Sequence, residues 1–260
     1  MDSGTSSISW RRAPAAEEDP PETPRDALTA TPWLRAVPGP VLDGLAAHAV
    51  LHRLPAGSIV FEQAETPAFA QFLIGGSVEL LAVRGRNEAF VELIRPFDLL
   101  LPAAVLNCQP YLLRARVLSD ATLLLVQADT FREAVTTDHA FCLAVLSCQA
   151  AQFRRRVKQV KNLGLRSAEE RVGCYLVRLA EDVPPGQPVR LPMEKRLIAS
   201  ELGMTRETFS RSLNGMARHG IRIEGDLVTL EHPTTARTRF ALDPLIDGAE
   251  EFHPLQAKGT

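Results

Sequence analysis

The sequence lacks the residue patterns that mark secretion, membrane insertion and zinc binding. Its 260 residues include only four cysteines, at positions 108, 142, 148 and 174, with no Cys-x-x-Cys pair and no zinc-ligand spacing. There is no signal peptide and no apolar run long enough to span a bilayer. We therefore expect a cytoplasmic protein with reduced thiols and no membrane partner.

Charge is close to balanced overall but unevenly distributed. The whole chain carries a net charge of −2, yet residues 190–222 contain seven Lys or Arg and three Glu, a local net charge of +4. A basic module inside an acidic chain is typical of a DNA-binding domain joined to a second domain, and the length suits two domains. The alternative is a solvated basic face without a ligand.

Within the basic module, residues 195–213 show the pattern of a helix-turn-helix. Two short crossed helices would bury the apolar side chains Ile198, Leu202, Met204, Phe209 and Leu213. Gly203 falls at the turn, where the backbone needs a positive φ. Residues 221–230 then predict a two-stranded wing that turns at Gly225-Asp226.

The second of these helices leaves polar side chains facing outward. Thr205 precedes it, and Arg206, Glu207, Ser210 and Arg211 lie on its exposed side. An Arg can bond guanine O6 and N7, a Glu can accept from cytosine N4, and a Ser can bond a base or a phosphate. We therefore predict that these five residues contact double-stranded DNA in the major groove.

The pattern along the chain predicts an α+β protein of several parts. A disordered arm is expected at 1–30, and a β-barrel or jelly-roll sensor domain at 31–136, where short apolar runs alternate with turn residues. A long dimerisation helix is expected at 137–163 and a winged helix-turn-helix at 164–235. The tail at 236–260 gives little signal.

The long helix carries an apolar seam with the spacing of a coiled coil. Its members recur at intervals of three and four residues: Leu143, Leu146, Ala150, Phe153, Val157 and Val160. Such a seam favours pairing with a second copy of the chain, and a two-fold dimer fits a palindromic DNA site. The alternative is a helix whose apolar side packs on its own barrel.

The order of barrel, long helix and winged helix-turn-helix resembles the CRP/FNR superfamily of bacterial transcription regulators. The segment Thr205-Arg-Glu-Thr-Phe-Ser-Arg211 carries the closest likeness. Glu207, Ser210 and Arg211 match the Glu-x-x-Ser-Arg pattern of FNR-like members, while Arg206, Glu207 and Arg211 also fit the CRP pattern. The resemblance implies a homodimer on a palindromic, TTGAT-like site, which contacts RNA polymerase if it is an activator.

The same resemblance bears on the effector. Residues 191–204 look like the nitric-oxide-responsive subgroup that governs denitrification. Cyclic-nucleotide members hold the ribose with a Gly-Glu pair and the phosphate with an Arg-Ser pair. Here residues 96–104 contain no Gly-Glu, and Tyr111 and Leu112 stand in place of Arg and Ser, which argues against cyclic AMP because a buried phosphate needs a cation. No cysteine precedes Cys108, which argues against an FNR-type iron–sulfur cluster.

An apolar effector pocket is the remaining expectation for the barrel. Its predicted lining comprises Leu100, Leu101, Leu112 and Leu113. Haem is a candidate cofactor, because its iron binds nitric oxide and needs one axial ligand in an apolar pocket. The candidate ligands are His48, His52, His139 and Cys108. For each histidine, the alternative is an ordinary surface residue.

Three other functions are alternatives to this interpretation. The first is a regulator that responds to a cyclic nucleotide or another small ligand. The second is a cupin-like metalloenzyme, which needs clustered His and Glu on strands, whereas His52 is the one histidine between residues 49 and 128. The third is a ligand-binding regulatory subunit acting on a protein partner, against which the helix-turn-helix argues. We therefore expect a protein that is not an enzyme.

Overall fold

The computed structural model describes residues 21–248, and the chain divides into two compact units. The boundary between the units falls between Phe153 and Arg154, inside a long helix. The first unit contains helices and strands in the order α1 (Pro24–Ala30), α2 (Gly39–Ala47), β1 (Ala49–Leu54), β2 (Ile59–Phe61), β3 (Phe69–Arg84), β4 (Asn87–Ile94), β5 (Leu99–Leu100), α3 (Pro102–Leu106), β6 (Arg114–Gln127) and α4 (Ala128–Thr137).

The strands of the first unit form an antiparallel sheet that folds back on itself. Its strand order is β1-β6-β3-β4, with β2 also paired to β6 and β5 to β3. The long strand β3 bends where its register with β6 shifts between Leu73 and Val78. Gly76 makes this bend feasible, because its φ is +81° and a Cβ would lie 2.2 Å from the carbonyl oxygen of Asp120.

Two apolar clusters stabilise the first unit. One joins the helices to the sheet through the aromatic residues Trp33, Phe72, Phe131 and Phe141, whose neighbouring rings pack in stacked and edge-on pairs. The other fills the interior of the barrel with side chains that include Leu73, Leu80, Ile94, Leu100 and Tyr111.

The predicted disordered arm is wrong for its last third. Residues 1–20 lie outside the described residues, but α1 is a helix whose Ala27 and Leu28 are fully buried. Thr23 and Asp26 cap it reciprocally, since each side chain accepts a hydrogen bond from the other's backbone N–H. This local capping signal was hidden in a segment whose overall composition is typical of disorder.

The long helix α5 (His139–Leu165) begins two residues after the predicted start and ends two residues after the predicted end. Phe141, Ala144, Val145 and Cys148 are buried in the first unit's core. The predicted seam lies on another side of the helix and is largely exposed. Leu146, Phe153, Val157 and Val160 are 54, 69, 43 and 69% exposed, respectively. The seam is therefore not the side that packs on the barrel.

The second unit continues with α6 (Ala168–Leu179), β7 (Val189–Arg190), α7 (Lys195–Glu201), α8 (Arg206–Gly215), β8 (Ile221–Glu224), β9 (Leu227–Leu230), α9 (Pro233–Arg239) and α10 (Pro244–Asp247). β8 and β9 form the predicted wing, and β7 adds a third strand to β9. The core of this unit collects apolar side chains from every helix between α6 and α9, including Leu176, Ile198, Phe209 and Ala236.

The predicted tail at 236–260 begins inside this unit. Ala236 and Phe240 are buried in its core, and the Phe240 ring covers Gly173, where a Cβ would lie 2.3 Å from the ring. Residues 236–248 therefore extend the second unit beyond the predicted boundary at 235, while residues 249–260 lie outside the described range. Within residues 21–248, no helix combines the length and apolar character needed to cross a bilayer.

Candidate nucleic-acid interface

The helix-turn-helix forms as its sequence predicts. Ile198 of α7 and Phe209 and Leu213 of α8 are buried against each other's helices and the unit's core. Gly203 lies in the turn with φ +64°, the left-handed conformation that glycine adopts without a Cβ clash. Thr205 caps α8, since its hydroxyl accepts a hydrogen bond from the Thr208 backbone N–H at 3.2 Å.

All five predicted DNA contacts are solvent-exposed at the start of α8. They are Thr205, Arg206, Glu207, Ser210 and Arg211. The apolar side of the same helix is buried, so these polar side chains form its outward surface. In helix-turn-helix proteins, residues near the N-terminus of the second helix reach the base edges.

The charges on this surface suit both donor and acceptor contacts. The backbone N–H of Glu207 and the Thr205 hydroxyl, together with nearby Arg206 and Arg211, lower the pKa of the Glu207 carboxyl. Glu207 is thus an ionised hydrogen-bond acceptor at neutral pH. The Arg211 guanidinium lies 3.3 Å from the Thr208 hydroxyl, so its Nη2 can donate to Oγ1, which keeps the guanidinium near the helix while its remaining donors face solvent.

A groove beside the reading surface contains residues that the sequence did not single out. It occupies about 350 Å³ between α8 and the wing and is lined in part by Lys195, Asn214 and Arg222. Lys195 Nζ donates to the Gly225 carbonyl oxygen at 2.6 Å, which places an ammonium beside the wing turn. A cation in this groove is suited to a DNA phosphate. The position of Lys195 in the groove depends on how the wing folds over α8, which residue spacing alone does not predict.

In the barrel, the segment expected to bind a cyclic phosphate is occupied by an aromatic stack. The Tyr111 ring lies parallel to Phe61, with the ring centroids 3.7 Å apart, and is 3% exposed. Burial raises the pKa of Tyr111 to about 12. A neutral phenol therefore lies in the segment where the resemblance to cyclic-nucleotide regulators predicts an arginine. Nearby Leu101 caps α3 with φ +40°, a conformation that favours glycine.

The predicted effector pocket is not assembled as expected. Leu100 is fully buried in the barrel core, and Leu101 and Leu113 pack against that core. Leu112, however, is 83% exposed and cannot line the same interior. The prediction for Leu112 is wrong because consecutive side chains after Tyr111 point alternately into the barrel and into solvent. A run of apolar residues does not indicate which of its members point inward.

The candidate haem ligands do not fit a haem site. His48, His52, His139 and Cys108 are all exposed, whereas an axial ligand has to point into an apolar pocket. Among residues 21–248, no group of three or more His, Cys, Asp or Glu side chains is arranged to hold a metal ion. None of the four candidate side chains is therefore placed to ligate a haem iron inside an apolar pocket.

Comparisons with known families bear on both units. Residues 51–138 match the cyclic nucleotide-binding domain family, and residues 170–233 match the Crp-like helix-turn-helix domain family. The chain therefore combines a cyclic nucleotide-binding domain with a Crp-like helix-turn-helix domain. This combination supports a DNA-binding transcription regulator of the CRP/FNR type, and the fold class predicted from the sequence is confirmed.

Solved CRP/FNR-like structures share this fold at low sequence identity. A putative cAMP-binding regulatory protein from Silicibacter pomeroyi DSS-3 is 22% identical over 84% of this chain and 99% of its own, with a TM-score of 0.54. FixK2 from Bradyrhizobium japonicum is 19% identical over 75% and 98%, with a TM-score of 0.61. A CooA mutant from Carboxydothermus hydrogenoformans is 19% identical over 75% and 89%, with a TM-score of 0.62. No curated protein gives a significant sequence match.

Proposed function

We propose that this regulator works as a homodimer that binds a two-fold-symmetric, TTGAT-like DNA site under the control of an effector acting on the barrel domain. The observation that carries the proposal is the exposed polar surface of α8. Arg206 and Arg211 supply guanidinium forks for guanine, and Glu207 supplies an ionised acceptor for cytosine.

Dimerisation is supported by the exposed seam of α5. Phe153 and Val160 are each 69% exposed, and large apolar side chains in a helical row are ordinarily covered by a partner. Pairing the seam with its copy buries both rows in a parallel coiled coil. Such a two-fold dimer presents its two α8 helices to half-sites about one helical turn apart.

The proposed effector is a ligand other than a cyclic nucleotide. The Phe61–Tyr111 stack occupies the region that would need a cation for the cyclic phosphate. Isothermal titration with cyclic AMP is therefore expected to give no binding heat. The likeness of residues 191–204 to nitric-oxide-responsive regulators makes nitric oxide the first effector to add in a DNA-binding assay. Binding of the effector would shift the population of paired-helix arrangements and so reorient α8.

Replacing Arg211 by Ala tests the role of α8. A lost bidentate contact costs about 1–3 kcal/mol, so the variant should lose most discrimination between a TTGAT palindrome and a scrambled duplex in fluorescence anisotropy. Arg86→Ala is the matched control, because Arg86 is an exposed arginine in the turn after β3. If wild type and Arg211→Ala discriminate equally between the two duplexes, Arg211 does not contribute to base recognition.

If wild-type protein binds neither duplex, the DNA-binding function itself fails. The regulatory subunit that acts on a protein partner would then be the better interpretation. Gel-shift assays at two salt concentrations distinguish sequence-specific binding from simple electrostatic binding, because electrostatic binding weakens with salt for every sequence alike.

A further inference from the structure

We propose that the C-terminal extension, residues 240–248, fixes the last turns of α5 against the DNA-binding unit, and that Asp247 is a positioning residue for DNA recognition. This inference rests on the proposed function. The extension lies beyond the segment 170–233 that matches the Crp-like helix-turn-helix family.

The central contact is a two-point ion pair between Asp247 and Arg166. Arg166 Nη1 and Nη2 donate to Asp247 Oδ1 and Oδ2 at 2.7 and 2.6 Å, and each side chain is only 10% exposed. The Asp243 backbone N–H also donates to Asp247 Oδ2 at 2.8 Å. A paired carboxylate of this kind fixes both distance and orientation. Arg166 directly follows α5, so the pair holds the junction between α5 and α6.

The extension also bonds to the helices on both sides of that junction. From α5, Lys158 Nζ donates to the Gly248 carbonyl oxygen at 2.8 Å, and Lys161 Nζ lies 3.5 Å from that of Leu245. From α6, Arg178 Nη1 lies 3.4 Å from the carbonyl oxygen of Asp247. One short segment therefore connects the last turns of α5 to the first helix of the DNA-binding core.

The helix-turn-helix itself contacts the end of α5. A Cβ on Gly203 would lie 2.3 Å from Leu163 Cδ2, so the turn between α7 and α8 packs directly on that leucine. Leu163 follows Lys161 by two residues and thus lies on a different side of the helix. The end of α5 is held both by the reading module and by the C-terminal extension.

This arrangement has a specific consequence for a dimer. If α5 pairs with its copy, the angle at the junction of α5 and α6 sets the distance between the two α8 helices. A rigid junction makes the dimer selective for one half-site spacing. A loosened junction allows the two α8 helices to bind half-sites at several different separations. It therefore weakens the selectivity for spacing but leaves the polar surface of α8 unchanged.

The experiment compares Asp247→Asn with wild type on three duplexes. They carry the two TTGAT half-sites with their centres about one helical turn apart, which is here called the native spacing, the same half-sites one base pair further apart, and a single half-site. We expect the wild-type protein to prefer the native spacing. For Asp247→Asn we expect the ratio of Kd values between the lengthened and native palindromes to fall by about tenfold, which corresponds to about 1.4 kcal/mol. Binding to the single half-site should not change.

Asp129→Asn serves as the matched control, because that carboxylate is 95% exposed and lies in the first unit. An unchanged spacing ratio in Asp247→Asn would overturn the inference while leaving the proposed function intact. Absence of wild-type binding to every duplex would overturn the proposed function, and the inference with it. If Asp247→Asn loses the native circular dichroism spectrum, Arg166→Lys takes its place, since it keeps the charge but loses the two-point contact.

Discussion

Tyr111 is the residue on which the expected ligand of the barrel most depends. Its ring lies in the barrel core against Phe61, in the segment where the resemblance to cyclic-nucleotide regulators predicts a phosphate-binding arginine. The sequence disclosed the substitution, because Tyr and Leu stand in the place of Arg and Ser. It could not disclose the stacking, which depends on where the end of β2 meets the loop before β6.

The pKa of Tyr111 can be measured directly. Burial raises it to about 12, whereas an unfolded tyrosine ionises near pH 10. In a Tyr175→Phe variant, Tyr111 is the one tyrosine left, so ultraviolet difference spectra should show tyrosinate forming near pH 12. Because the folded-state pKa is raised, its contribution to stability is complete below about pH 10 and lost as the pH rises through 12. A transition near pH 10 in folded protein would contradict this burial.

Gly203 is a second position where a single residue controls geometry. Gly203→Ala introduces a strained φ of +64° and a Cβ that meets Leu163. Gly225→Ala is the matched control, because its φ is +60° but its surroundings are open. A non-glycine residue in the left-handed conformation costs about 1–2 kcal/mol. We therefore expect the free energy of unfolding to fall by that amount in the control and by more in Gly203→Ala.

The stability of the helix-turn-helix in both glycine variants can be measured as the protection of the backbone amides of α7 and α8 from hydrogen exchange. Tryptophan fluorescence does not report on this unit, because both tryptophans, at positions 10 and 33, precede it. Equal protection in the two variants would mean that Leu163 yields to the added methyl group.

At the scale of elements, the seam of α5 gives a prediction about assembly. Phe153→Glu places a charge in the middle of the exposed row, so the two copies would bury opposing carboxylates at the pairing surface. Sedimentation velocity should then show a shift from dimer towards monomer. Leu112→Glu introduces the same charge at an apolar side chain that is 83% exposed outside the helix, and should sediment as wild type does. A variant that stays dimeric would place the interface elsewhere.

Elements with strong local signals were predictable from the sequence. The helix-turn-helix followed from apolar spacing and Gly203, and the wing from Gly225 between two apolar runs. The seam followed from its three-and-four spacing. Helix α1 was missed because Thr23 and Asp26 make a short capping signal inside a segment rich in proline and acidic residues.

The C-terminal extension could not be predicted for a different reason. Its order comes from long-range contacts, such as Phe240 on Gly173 and Asp247 with Arg166, which lie 67 and 81 residues apart in the chain. None of these four residues belongs to a periodic pattern, so nothing in the sequence indicates which of them pair. The exposure of Leu112 and of the candidate haem ligands could not be predicted for the same reason, because exposure depends on tertiary structure.

At the scale of the whole molecule, the surface positions of the histidines predict a negative result. His48, His52 and His139 are exposed, so we expect no saturable, stoichiometric Soret band when the purified protein is titrated with haem. Weak, non-saturating absorption would represent surface binding. A stoichiometric band lost in His48→Ala, His52→Ala or His139→Ala would contradict this expectation and identify the ligand.

The position of the C-terminal extension bears on how such regulators diverge. If residues 240–248 set the half-site spacing as proposed, a substitution among them would alter the preferred arrangement of half-sites while Arg206, Glu207 and Arg211 stay the same. Two descendants of one gene could then recognise the same bases yet serve different promoters. The repertoire of target genes would then change through a segment outside the recognition helix α8.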